Sequence, residues 1–371
     1  MLRRLYVDNY KCLVNLECRF DHLNLILGCN GSGKSTVFDA IRDVRDFVNG
    51  KSPIKLFNDH TLTRWDKRDL QVFELEVEGN GGIYQYRLEI EHEIGEEKQR
   101  VKTESVMFDG GPLYRAELDE VQLYRDNHST GPQYPKDWSQ SGLLFLGERR
   151  DNSRVTWLKN WFKEKLLCLR IEPTRIEPMW PGEDRELDKS CANFVGFYRH
   201  LIQSRPTAML ELFAALRELY DGFGELKLEQ EGGTVRHLYA ILGVTATDGR
   251  PENIPLSFAE LSDGERALTV LYTLLSLMSD PELTLCIDEP DNYVALAEIQ
   301  PWLISLKDRV DIASAQALLI SHHPELIDYL APECGLVFER TNNGPARVRS
   351  FQSVSSDGSK SASEIVARGW E

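Results

Sequence analysis

Two short stretches near opposite ends of the chain carry residues that could act on a phosphate. Gly28-Cys29-Asn30-Gly31-Ser32-Gly33-Lys34-Ser35 matches the pattern G-x-x-x-x-G-K-[ST] at every fixed position. Glycines at this spacing let the main chain bend until its N–H groups converge, at the positive end of the helix that follows. Such a loop cradles the phosphates of a nucleotide. Asn30, Gly31, Ser32, Gly33 and Thr36 would line it, Lys34 would bring a charge to the β- and γ-phosphates, and the Ser35 hydroxyl would hold Mg2+. The second stretch, LTLCIDEP from Leu283 to Pro290, runs an apolar segment into two carboxylates. Asp288 at the strand tip can bind the water shell of Mg2+, and Glu289, aimed elsewhere, can orient or deprotonate an attacking water. Alone, Asp-Glu at a strand end reads equally well as a solvated terminus. Behind a phosphate loop it reads as a catalytic pair.

Two further stretches belong with these. Leu261-Ser262-Asp263-Gly264-Glu265 opens an apolar helical run. Ser262 as N-cap and Glu265 three residues on make a capping box, and the same capped N-terminus is what an anion needs, so Ser262, Gly264 and Glu265 are binding candidates. LLISHHP, from Leu318 to Pro324, ends an apolar strand in a histidine pair. His322 is the better placed of the two to reach a γ-phosphate, against the plainer reading of a surface histidine.

The elements that must position these residues follow from periodicity. Residues 2–10, 11–20 and 23–27 read as strand, turn and strand leading into the phosphate loop, and Ser35 to Gly50 as a helix with Val37, Ile41, Val44 and Val48 on one face. Residues 70–79 and 83–94 alternate around Asn80-Gly81-Gly82, a hairpin signature. Between residues 96 and 250 short strands give way to helical runs, 155–171 and 192–223, the second broken before Pro206. Trp157, Trp161, Phe194 and Phe197 read as core filling rather than a base-stacking platform. After residue 250 strands alternate with helices again, which implies a largely parallel sheet with its ligand at the carboxyl ends of the strands.

Composition narrows the class. The 371 residues are 42% hydrophobic and 27% charged, with a formal net charge of −16. That balance is ordinary for a globular chain and argues against a broadly basic, DNA-coating surface. Arg149, Arg150 and Arg154 could form a local basic strip or a solvated helix face. The seven cysteines are scattered, with neither a C-x-x-C pair nor a His/Cys cluster, which suits a reducing cytoplasm. No apolar run is long enough for a transmembrane helix, and the opening turns polar too soon for a signal peptide, so cytoplasmic localisation without membrane association is expected.

Leu261–Glu265 resembles the signature motif of ABC-type ATPases, commonly L-S-G-G-[QE], with Asp263 in place of the first glycine. The start of the chain (N-Y-K-C-L before L-N-L-I-L-G), E-L-S-D-G-E-R, and I-D-E-P followed by S-H-H-P-E-L-I together resemble the RecF, SMC-like and OLD-like ATPases. The resemblance covers roughly residues 1–50 and 255–330. It implies an α/β P-loop ATPase head with a mixed sheet, here carrying an inserted, mainly helical subdomain where SMC proteins have a coiled coil. The expected division is 1–95 for the N-terminal lobe, 96–250 for the insertion, 251–340 for the C-terminal lobe and 341–371 for a tail.

The resemblance further implies ATP and Mg2+ as ligands and slow or regulated hydrolysis. Two heads would pair head-to-tail, with Ser262 and Gly264 of one capping the γ-phosphate held by the other. Glu289 and His322 take the catalytic places, Asp291 falls on the loop that crosses the dimer interface, and Gln140 is the candidate for the Q-loop. The compact ATPases of this group, such as Septu or retron-associated ones, often act in prokaryotic defence or repair beside a separate, nuclease-like effector. DNA or RNA stays open as a partner. The tail lacks the D-x-D pair that a TOPRIM nuclease needs. A transporter's nucleotide-binding subunit and a non-hydrolysing ATP sensor remain the alternatives.

Overall fold

Alternating apolar residues on either side of Asn80-Gly81 fold back on themselves, because both turn residues take positive φ (50° and 81°) and Gly79 pairs with Gly82. This hairpin lies within a larger sheet in the computed structural model, which describes residues 1–93, 98–117, 119–246, 249–354 and 361–367. In chain order the strands begin with β1 (Leu2–Asp8), β2 (Leu16–Arg19), β3 (Leu23–Gly28), β4 (Leu70–Gly79), β5 (Gly82–Glu93) and β6 (Lys98–Phe108). They continue with β7 (Gly111–Glu117), β8 (Glu120–Tyr124), β9 (Thr130–Pro135), β10 (Leu166–Leu169), β11 (Met179–Trp180) and β12 (Phe223–Gly232). The last are β13 (Val235–Thr245), β14 (Pro251–Ser257), β15 (Thr284–Asp288), β16 (Gln316–Ile320), β17 (Gly335–Glu339) and β18 (Arg347–Ser350).

The chain divides into two compact units. The first comprises Met1–Cys168, Thr284–Cys286 and Gln316–Glu371; the second comprises Leu169–Leu283 and Ile287–Ala315. In the first, an antiparallel sheet runs β2-β1-β4-β5-β6-β7-β8-β9. Its apolar face (Leu5, Val7, Phe73, Leu75, Tyr84, Tyr86) shares one core with Val37, Ile41 and Val44 of the helix Lys34–Val48. Strands β6 to β9 therefore extend the N-terminal lobe, and the division falls after Cys168 rather than at the expected 95/96, which lies outside the described residues. The sheet also buries carboxylates, Glu104 most completely. Glu104 is fully buried and accepts from Tyr86 Oη (3.1 Å), Tyr114 Oη (2.8 Å), Ser141 Oγ (2.5 Å) and Gly142 N (3.0 Å), with Lys136 Nζ at 3.7 Å.

A second sheet has the order β10-β15-β16-β3-β17-β18. Its β3 is parallel to both neighbours, β16 and β17, and the near-continuous apolar runs LNLILG and QALLI suit strands covered on both faces. The helix expected over 155–171 ends at Asn160, passes through a single wider turn, Trp161–Lys165, and becomes β10. All four side chains of Leu166–Leu169 are buried, which a buried strand requires and a one-faced helix does not supply. Part of the expected tail, β18, also joins this sheet, whereas residues 355–360 and 368–371 lie outside the described chain.

The second unit holds the helices Phe194–Ser204 and Pro206–Leu219, interrupted before Pro206 as the sequence requires. It also contains a small antiparallel sheet, β11-β13-β12 with β14 on β13, so the expected mainly helical insertion carries a substantial share of strand. The helices Asp263–Leu277 and Leu296–Ala313 complete it. Phe194, Phe197 and Trp161 are buried, and Trp157 stacks on Tyr84 at 4.9 Å. Among the described residues, no helix is long and apolar enough to cross a membrane.

Candidate functional site

The phosphate loop lies in the first unit, where β3 ends at Gly28 with φ 144°. A Cβ there would sit 2.3 Å from the Phe338 carbonyl oxygen on β17, so only glycine fits. Ser32 N donates to Cys29 O (3.1 Å), closing the turn, and Gly33 in a left-handed conformation caps the helix that starts at Lys34. The Lys34 ammonium is buried and folds over its own loop, donating to Gly28 O (2.6 Å) and Cys29 O (3.0 Å). The Ser32 hydroxyl is also buried and has no hydrogen-bond partner among the described residues. An orphaned buried donor is costly, and a phosphate oxygen in the loop would satisfy it. Cys29, Asn30, Gly31 and Ser35 are exposed, and Thr36 is half-buried with Oγ1 3.9 Å from Cys12 Sγ.

One contact had no signal in the sequence. Arg340, the residue after β17, donates from Nη1 to Gly31 O (2.9 Å), from Nε to Gly344 O (2.7 Å) and from Nη2 to Asn343 O (2.5 Å), and lies over the Trp65 ring at 5.6 Å. It ties the phosphate loop to a segment 309 residues away. In the same unit His322 is exposed just beyond β16, whereas His323 caps the helix Pro324–Cys334, its Nδ1 accepting from Glu325 N (3.3 Å). Of the two histidines, the capping one has a structural duty. Gln140 sits in a turn after β9, its N donating to Asp137 O (3.2 Å) and its carbonyl accepting from Lys136 Nζ (3.3 Å). Arg149 and Arg150 are exposed, but Arg154 is committed to the Asp126 carbonyl (3.0 Å) and the Phe108 ring.

The second unit holds the carboxylates and the serine loop. Asp288, the last residue of β15, is 5% exposed. Glu289 takes a left-handed φ of 56°, and its Oε2 accepts from Arg170 Nη2 (2.9 Å) and Asn292 Nδ2 (2.8 Å). Positive φ is uncommon outside glycine and gathers at functional sites; Tyr293, four residues on, has φ 71° as well. The helix Asp263–Leu277 opens with a complete capping box: Ser262 Oγ accepts from Glu265 N (3.2 Å), while Glu265 Oε2 accepts from Ser262 N (2.7 Å) and Oγ (2.8 Å). Asp263 pairs with Arg266 Nη2, and Arg266 Nη1 donates to Pro173 O (2.8 Å). A Cβ on Gly264 would lie 2.8 Å from Tyr293 O, so the serine loop and the turn carrying Asp291 are packed against each other.

Ser35 in the first unit and Asp288 in the second each carry an oxygen donor, the kind that suits magnesium, an ion that keeps waters and substrate phosphates and needs few protein ligands. Among the described residues no three His, Cys, Asp or Glu side chains converge as a metal-binding group.

No curated protein sequence matches the chain. Two solved structures align along nearly all of it. The SMC head domain from Thermotoga maritima is 16% identical, with 94% of this chain and 98% of that one covered and a TM-score of 0.49. An SMC head solved bound to the C-winged helix domain of ScpA is 13% identical, with 94% and 97% covered and a TM-score of 0.54, which establishes the head fold for this chain. A family model described as "AAA domain, putative AbiEii toxin, Type IV TA system" matches residues 23–328. That single span takes in the phosphate loop, the serine loop, the carboxylate strand and His322, and the chain belongs to this family of AAA-domain P-loop ATPases.

Proposed function

We propose that the protein is an ATP-hydrolysing regulatory subunit that pairs head-to-tail around ATP and thereby controls a separate effector. The observation that carries this reading is the phosphate loop, where a buried lysine and an orphaned buried serine hydroxyl face a bend that only glycine permits. Asn30, Gly31, Ser32, Gly33, Lys34 and Thr36 bind the triphosphate. Magnesium, held by Ser35 and Asp288, would neutralise charge on the β- and γ-oxygens. Glu289 takes a proton from a water whose oxygen bonds to the γ-phosphorus as the bond to the bridging oxygen breaks, leaving ADP and phosphate. His322 contacts the γ-phosphate and senses its departure. The exposed Ser262, at a helix N-terminus with Gly264 and Glu265, offers an anion site to a second copy of the chain.

The family's description names a toxin of a toxin–antitoxin system, and one matching head was solved with a bound partner domain. Both support a role beside an effector, in prokaryotic anti-phage defence or DNA repair, rather than in membrane transport. A non-hydrolysing ATP sensor is the second reading, favoured by the engagement of Glu289 with Arg170.

Glu289→Gln discriminates between them. It should lower turnover at least about 100-fold, the usual scale of lost general-base catalysis, and stabilise an ATP-bound dimer visible by light scattering. A variant that stays monomeric with ATP would rule out the head-to-tail pair. Lys34→Ala should abolish ATP binding in a calorimetric titration; retained tight binding would mean that the nucleotide sits elsewhere.

A further inference from the structure

Glu289 is held by a side chain that no motif contains. Arg170 is the first residue after β10, its N anchored by Lys189 O (2.7 Å), and its Nη2 reaches Glu289 Oε2 at 2.9 Å. Three residues further on, the Pro173 carbonyl accepts from Arg266 Nη1, and the other end of that guanidinium pairs with Asp263 beside Ser262. The segment Arg170–Pro173 thus touches the carboxylate at one end and the serine loop at the other, all within the second unit. Between these two ends the main chain is backed by Glu172 N donating to Ser190 O (3.1 Å), so it is a supported strip rather than a free loop.

A carboxylate acts as a base through the lone pairs it offers to water. A guanidinium that already occupies one of them competes with that water. We infer that Arg170 is a positioning residue that parks Glu289 away from its water, and that the strip Arg170–Pro173 releases it when an anion engages the Ser262 loop. This rests on the reading of Glu289 as the base. The pair is partly exposed, with side chains 45% and 27% accessible, so the contact is weak enough to be displaced. Asp263, the departure from the usual signature glycine, is what joins the loop to the strip through Arg266.

ATP turnover by the full chain tests this. Arg170→Ala should raise kcat about three- to tenfold with KM for ATP within about twofold of the parent, whereas Arg170→Lys should hold the parent rate. If the alanine variant has a lowered melting temperature, Arg170→Gln, with nearly the same bulk and no charge, takes its place. An unchanged or lower kcat overturns the proposal, because a merely supporting residue would slow the enzyme when removed. Arg266→Ala should lower kcat when Arg170 is present and have little effect when Arg170 is alanine. Strictly additive effects in this cycle overturn the link through the strip. Arg170→Ala/Glu289→Gln should be as slow as Glu289→Gln alone; high turnover in both would instead remove Glu289 from the role of base.

Discussion

The guanidinium of Arg340 donates to three main-chain carbonyls, those of Gly31, Asn343 and Gly344, and so fixes which way the peptide at the outer edge of the phosphate loop points. The tie restrains rotation of the peptide that joins Gly31 to Ser32, whose N–H closes the turn on Cys29 O (3.1 Å). Arg340→Ala should therefore weaken ATP binding about tenfold, or about 1.4 kcal/mol, in a calorimetric titration, with no change in the melting temperature of the nucleotide-free protein. A change below twofold would show that the loop keeps its shape unaided. Lys34 and Ser35 were marked as candidates by the glycines before them, and Glu265 by Ser262 three residues earlier, because local spacing singles each out. Arg340 and Arg170 were not. Their partners lie 309 and 119 residues away in the chain, and no local pattern marks a residue whose role is to hold a distant carbonyl or carboxylate.

Among the elements, the antiparallel meander of the first unit depends on Glu104, a fully buried carboxylate on a mostly apolar face. Removing it would take their acceptor from two tyrosine hydroxyls, a serine hydroxyl and a main-chain N–H, and leave the Lys136 ammonium only the Gln140 carbonyl in place of its carboxylate partner. Glu104→Ala should cost about 3–5 kcal/mol, the scale of breaking a buried pair from one side, read as a lower denaturant midpoint. Burial of the Tyr86 and Tyr114 hydroxyls raises their titration points, first through desolvation and then through the nearby Glu104 carboxylate. The 80–81 hairpin and the helix beginning at Lys34 could be read from their periods, and the helix Asp263–Leu277, buried from Ala267 onward, from its capping box. Strand β10 could not, because LLCL is dry on every side and follows a true helix without a break. That one misreading concealed the place of Arg170 at the end of a strand.

For the molecule as a whole, the net charge of −16 governs encounters at a distance. That total disfavours long-range attraction of phosphate backbones. A labelled 30-base-pair duplex of arbitrary sequence should bind more weakly than about 0.1 mM at physiological salt in an anisotropy titration. Tight, salt-sensitive binding would reveal a basic surface that the charge total conceals. The same fold also imposes an order on synthesis. Strand β3, which launches the phosphate loop, takes both its neighbours, β16 and β17, from the far end of the chain. When the ribosome has finished Ser35, every letter of the phosphate motif exists but nothing flanks it. The 309 residues between Gly31 and Arg340 take roughly 15 to 60 s to translate at about 5–20 residues per second. For that interval β3 lacks both its sheet neighbours, and a product cut short before Phe338 would carry the motif without the strand against which Gly28 packs.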